Sequence, residues 1–213
     1  VPYPTYERKK AERFISRGKC SMYKPEQYKR FWYEKETISE TDSGISKELQ
    51  DIHYSDIYAA DGDRVALNDG EFAIAKFDKE YTGMISFKVV CDSAVTLYVT
   101  YDEMLTDETV DARRFCCNAV IKYRLNPGEY EFTAFEPMSM KYVCFSVFGG
   151  KTEISGVKLI EYKHTKSEKK INIADPALKR IYEAAEETFC QNSVDIYMDC
   201  PSRERAGWLC DSY

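Results

Sequence analysis

GMISFKVVC (residues 83–91) and AVTLYVTY (residues 94–101), parted only by Asp92 and Ser93, decide the fold. Both are short runs rich in β-branched and aromatic residues with a period of two, the pattern of half-buried strands joined by a tight turn. A shorter run of the same kind, residues 73–77, precedes them across an Asp78-Lys79 turn. The pattern resumes at residues 120–125, breaks at Asn126-Pro127-Gly128, and continues through residues 129–135, 140–147 and 154–162. Asn-Pro-Gly is a strong turn signal, because Pro fixes φ and Gly tolerates positive φ. About eight strands with short links predict a mainly β domain over residues 52–165, a β-sandwich of jelly-roll type. No helix long enough to cross between parallel strands intervenes.

The flanks differ in texture. Residues 1–51 are charged and aromatic without a long apolar period, and residues 39–46 read as a turn around Asp42, Ser43 and Gly44. This first region is expected to hold a helix or two and extended segments that wrap a neighbour. Its basic cluster, Arg8 to Lys10 with Arg13 and Arg17, alternates with Glu7 and Glu12 and reads as a solvated helix face. In the third region, residues 166–213, the period becomes 3.6. Asp175 is an N-cap before Pro176 at the first helical position, and Leu178, Ile181, Tyr182, Ala185, Phe189 and Cys190 form an apolar stripe. The predicted helix runs to about Gln191. One helix cannot bury such a stripe alone, so it must pack on the sandwich or on helices beyond Tyr213.

Composition narrows the function classes. The protein has 213 residues, 44% hydrophobic and 31% charged, enough for one good core or one domain and part of another. A net charge of -6 without a concentrated basic face argues against nucleic acid as a partner. No apolar run reaches the roughly 18 residues that span a bilayer, and the N-terminus lacks a signal-peptide pattern. No membrane partner is expected. Eight cysteines are scattered without a C-x-x-C pair, and His53 and His164 are the sole histidines, so a zinc site is not expected. Buried free thiols in the cytoplasm are the favoured reading of those cysteines, with disulfides in the periplasm or outside the cell, after loss of a leader, as the alternative.

Residues 199–213, DCPSRERAGWLCDSY, are unlike the rest. Asp199, Glu204 and Asp211, with Arg203, Arg205 and Trp208, surround a Pro and a Gly that forbid one continuous helix. Carboxylates beside an aromatic plane and cations are what a sugar site needs. On composition alone, a charged surface loop after a helix is the better account of them.

The pattern D-C-P-x-R-x-R-x-G-W-x-x-D resembles the signature at the start of the catalytic domain of bacterial α-L-rhamnosidases, commonly D-C-P-Q-R-D-E-R-x-G-W-x-G-D. The lead-in is similar too: a helix start at residues 174–178 and an Asn, here Asn192, before the signature. Upstream, FDKEYTG (77–83), YDEML (101–105) and YRLNPG (123–128) resemble the family's β-sandwich. Between Asp199 and Glu204 the chain is one residue shorter than the common signature, and Cys210 stands where that form has Gly. Aligned backwards from Gly207 and Trp208, Glu204 falls on the family's general acid and Asp211 on its downstream Asp.

The resemblance implies a β-sandwich followed by the first helix and signature loop of an (α/α)6 barrel, which residues 1–213 leave incomplete. It implies removal of terminal α-L-rhamnose from glycosides or polysaccharides with inversion. One carboxylic acid, here Glu204, protonates the leaving oxygen, and a second carboxylate roughly 6.5–9.5 Å away activates water. Like charges at Asp199 and Asp211 would raise the pKa of Glu204, and Arg203 and Arg205 would lower it. Asp199, Arg203 and Asp211 would bind sugar hydroxyls. Trp208 would wall the sugar, or else anchor the next helix in a core. The family draws its base from a later barrel helix outside this chain, so the rest of the barrel is an implied partner, and no catalytic metal or cofactor is implied. The rival expectation is a carbohydrate-binding or scaffold sandwich with no activity of its own.

Overall fold

The computed structural model describes residues 4–22, 52–112, 114, 119–168, 171–194, 197–201, 205 and 207. Among them the chain is an antiparallel sheet curled on itself, followed by one helix. The strands are β1 (Thr5–Lys10), β2 (Arg13–Met22), β3 (Ile52–Ala59), β4 (Arg64–Leu67), β5 (Glu71–Cys91), β6 (Val95–Asp102), β7 (Leu105–Thr106), β8 (Thr109–Val110), β9 (Val120–Leu125), β10 (Gly128–Thr133), β11 (Met138–Phe148) and β12 (Thr152–Lys163). The helix, α1, is Pro176–Asn192.

Strand β5 makes the curl. Its 21 residues absorb both of the runs expected at 73–77 and 83–91, and the Asp78-Lys79 turn between them does not form. Instead Asp78 accepts a hydrogen bond from the Tyr81 hydroxyl at 2.9 Å, and the strand runs on through an unpaired stretch. The first half of β5 pairs with β2 and β11, and the second half with β10 and β12. One strand thus belongs to two layers, with the order β1-β12-β5-β11-β6-β9 across the path.

The layers meet on aromatic rings, because residues at two-residue spacing in each strand share the inner face. Phe87 from the second half of β5 stands edge-on to Phe145 of β11 at 5.1 Å, and Phe14 of β2 lies tilted on Phe145 at 6.1 Å. Leu67, Ala73, Phe77, Val89, Leu97, Val99 and Leu159 complete this core. A smaller core on the other side of the β6–β11 layer holds Phe72, Ile74, Tyr98 and Cys144, capped by Val110 of the β7–β8 hairpin.

In the first region the described residues are extended, but the basic cluster is not on a helix. Residues 5–10 and 13–22 are strands, and the basic cluster lies on them rather than on a helix face. On β1, Arg8 and Lys10 face outward opposite Ile160 and Lys158, while Lys9 turns inward to the Glu161 carboxylate at 3.3 Å. Charge on both faces of a short edge strand hides its period of two in sequence, and it also discourages edge-to-edge pairing. Residues 23–51, with the expected turn at 39–46, lie outside the described residues.

The helix starts where expected. Asp175 accepts from the Ala177 and Leu178 amides at 2.7 and 3.2 Å, satisfying two of the otherwise orphaned donors. Its apolar stripe, however, does not face the sheet: Leu178, Ile181 and Phe189 are 58%, 64% and 55% exposed. The buried residues of α1 are Cys190 and Gln191 at its end. No helix among the described residues is long and apolar enough to cross a membrane.

Candidate active site

The signature segment hangs from the end of α1, so whatever fixes that end places the segment. Polar groups do this. Gln191 accepts a hydrogen bond from the buried Thr82 hydroxyl at 2.8 Å, and Thr82 in turn lies 2.6 Å from the Ser139 hydroxyl. These groups join α1 to β5 and β11. One turn earlier, Glu187 meets Lys163 at 3.0 Å, Lys166 at 3.0 Å and Lys79 at 3.3 Å. Burial pushes the Glu187 carboxyl up, but hydrogen bonds from Lys163 and Lys166 and the charges of Lys163 and Lys79 outweigh it and bring it down to about 2. Lys163 also reaches the buried Glu161 at 2.9 Å, so the chain of charges runs from β1 through β12 to α1. The His164 amide donates to the Cys190 carbonyl at 2.8 Å and ties the strand's exit to the helix.

After α1 the chain doubles back. Ser193 and Tyr197 form an isolated bridge, and the Met198 amide donates to the Asn192 carbonyl at 2.8 Å. Asp199 follows, half-buried, with the Cys200 thiol donating to it at 3.5 Å. A Cβ on Gly207 would lie 3.1 Å from the Tyr197 carbonyl, so the segment returns close to where it began. Arg205 bridges the gap with left-handed backbone at φ 53. Its Nε donates to the Pro201 carbonyl at 2.9 Å, and its terminal nitrogens reach the Pro137 carbonyl, the Met138 thioether and, at 3.6 Å, the Glu136 carboxylate.

Of the residues singled out from sequence, Asp199 is in this turn, next to Cys200. Arg203, Glu204, Trp208 and Asp211 lie outside the described residues. Sequence reasoning missed two features. Arg205 entered it only as a charge near Glu204, although its partners are on the sandwich. Gln191, a polar residue at the end of an apolar stripe, is the buried anchor of the helix. The described cysteines are free, and Cys20, Cys91, Cys144 and Cys190 are buried. Burial raises the Cys20 and Cys144 thiols to about 12 and about 11, which leaves them protonated at neutral pH.

Residues 167–213 match the family described as the bacterial alpha-L-rhamnosidase 6 hairpin glycosidase domain. Three solved structures share the fold. A rhamnosidase from Klebsiella oxytoca with rhamnose bound superposes over 99% of this chain with a TM-score of 0.68 and 13% identity, and the match covers 39% of that protein. A GH78 family rhamnosidase of Bacillus sp. GL1 superposes over 68% of this chain and 15% of its own, with a TM-score of 0.59 and 18% identity. The α-L-rhamnosidase of Dictyoglumus thermophilum does so over 66% and 17%, at 0.51 and 20%. The chain therefore spans well under half the length of each. A search of curated proteins gave no match. The family match is confined to residues 167–213, and the three rhamnosidase structures show that the fold is shared.

Proposed function

We propose that this chain supplies the acid half of an α-L-rhamnosidase site that removes terminal α-L-rhamnose from glycosides or polysaccharides with inversion. The observation that carries the reading is the family match over residues 167–213, which contains the whole signature. Glu204 is the general acid that protonates the departing oxygen. Asp199, Arg203 and Asp211 hold sugar hydroxyls through charge-assisted hydrogen bonds, and Trp208 presents an apolar wall to the ring. The carboxylate that activates water comes from a later helix of the barrel, so residues 166–213 form the beginning of that domain.

The sandwich is a scaffold in this scheme. Phe87, Phe132 and Tyr123 pack against its core while Tyr6, Tyr58 and Phe135 stand exposed, so the scaffold reading rests on its contacts with α1, a polar clamp suited to holding the barrel's first helix. Proton NMR of the first product released from an aryl α-L-rhamnoside tests the proposal in a protein carrying this chain and the rest of the barrel. The β-anomer of L-rhamnose should appear first and then mutarotate. An initial α-anomer would refute inversion, and no release of rhamnose would refute the activity.

A further inference from the structure

The guanidinium of Arg205 is spent on protein acceptors. Its Nε donates to the Pro201 carbonyl within its own turn, and its outer nitrogens cross to Glu136 and the Pro137 carbonyl in the link from β10 to β11 and to the Met138 thioether at the start of β11. Planar, with donors on two sides, this group can hold two carbonyls at once in a way that a lysine ammonium cannot. Glu136 is 77% exposed, so its ion pair adds little and the carbonyls are the anchor. The left-handed backbone at Arg205 points the same way, since a non-glycine residue keeps that conformation only where its surroundings impose it. Arg205 also directly follows Glu204.

We propose that Arg205 is a positioning residue that latches the signature turn to the β10–β11 link of the sandwich and thereby fixes the chain beside Glu204. The catalytic consequence rests on the function proposed above; the latch itself does not.

Hydrogen exchange on this chain reads the latch directly, because the Met198 amide bonds the Asn192 carbonyl inside the turn. In Arg205→Ala that amide should exchange about tenfold faster, while amides in the β5–β11 ladder keep their rates. Arg205→Lys should fall between, and Glu136→Gln should stay within about twofold of the parent. An unchanged Met198 rate in Arg205→Ala would overturn the proposal, and so would an equal rise across the ladder. In a protein carrying the rest of the barrel, Arg205→Ala should lower kcat and leave KM within about twofold. A raised KM at unchanged kcat would make Arg205 a sugar contact instead. If the parent hydrolyses no rhamnoside, the proposed function fails, and exchange at Met198 still decides the latch.

Discussion

At Gly83 the fold depends on a missing side chain. This residue sits in the middle of β5 where the strand is flanked by Met138 of β11 and Glu161 of β12. A Cβ there would be driven into the Ile160 carbonyl and the Leu159 side chain, both in a paired strand that cannot give way cheaply. Gly83→Ala should therefore cost about 2–3 kcal/mol, read as a lower urea midpoint with an unchanged slope. A midpoint equal to the parent's would show that the strands can separate at this crossing. Sequence marked Gly83 only as the start of a run, since close approach of a neighbouring strand leaves no local signature. The same holds for Arg205: residue type and spacing gave its charge and its place in the signature, but its partners come from a link some seventy residues earlier.

The helix α1 shows how an element can be legible while its docking is not. Asp175, Pro176 and the 3.6-residue period gave its start and its length, because capping and periodicity are local. Its orientation was not local. The exposed stripe of Leu178, Ile181 and Phe189 leaves the sheet to be met by Glu187 and Gln191, which sequence ranks as surface residues. The Glu187 carboxyl, held at about 2 rather than its ordinary 4.5, gives this contact a pH dependence. A depressed carboxyl stabilises the folded state fully above about pH 4.5, and the contribution is lost as pH falls through about 2. Glu187→Gln should lower stability at neutral pH by about 1 kcal/mol, a value discounted for partial exposure. It should also flatten the decline between pH 4.5 and 2. Thermal melts of parent and variant across that range should converge at the acid end; parallel curves would mean that Glu187 contributes nothing to docking.

On the scale of the whole molecule, the sequence showed the β content and the later strands because each carries its own alternation and its own turn. It did not show the curl. Two runs that looked like separate strands are one strand shared by two layers, and the charged residues 5–22 complete both layers as strands of low apolar content. Long-range pairing decides such features, and alternation within a run is silent about partners. Of the candidate site only Asp199 lies among the described residues, and the roles proposed for its members come from the resemblance of the signature rather than from periodicity. We propose that Glu204 protonates the leaving oxygen of a rhamnoside, and Glu204→Gln in a protein carrying the rest of the barrel puts this to the test. With an unactivated alkyl rhamnoside, kcat should fall about a hundred- to ten-thousandfold, because general acid catalysis is lost where it is needed. With an aryl rhamnoside whose phenol is already acidic, it should fall by less than about tenfold, because that leaving group departs without a proton. Equal losses on both substrates would contradict the assignment of Glu204 as the acid.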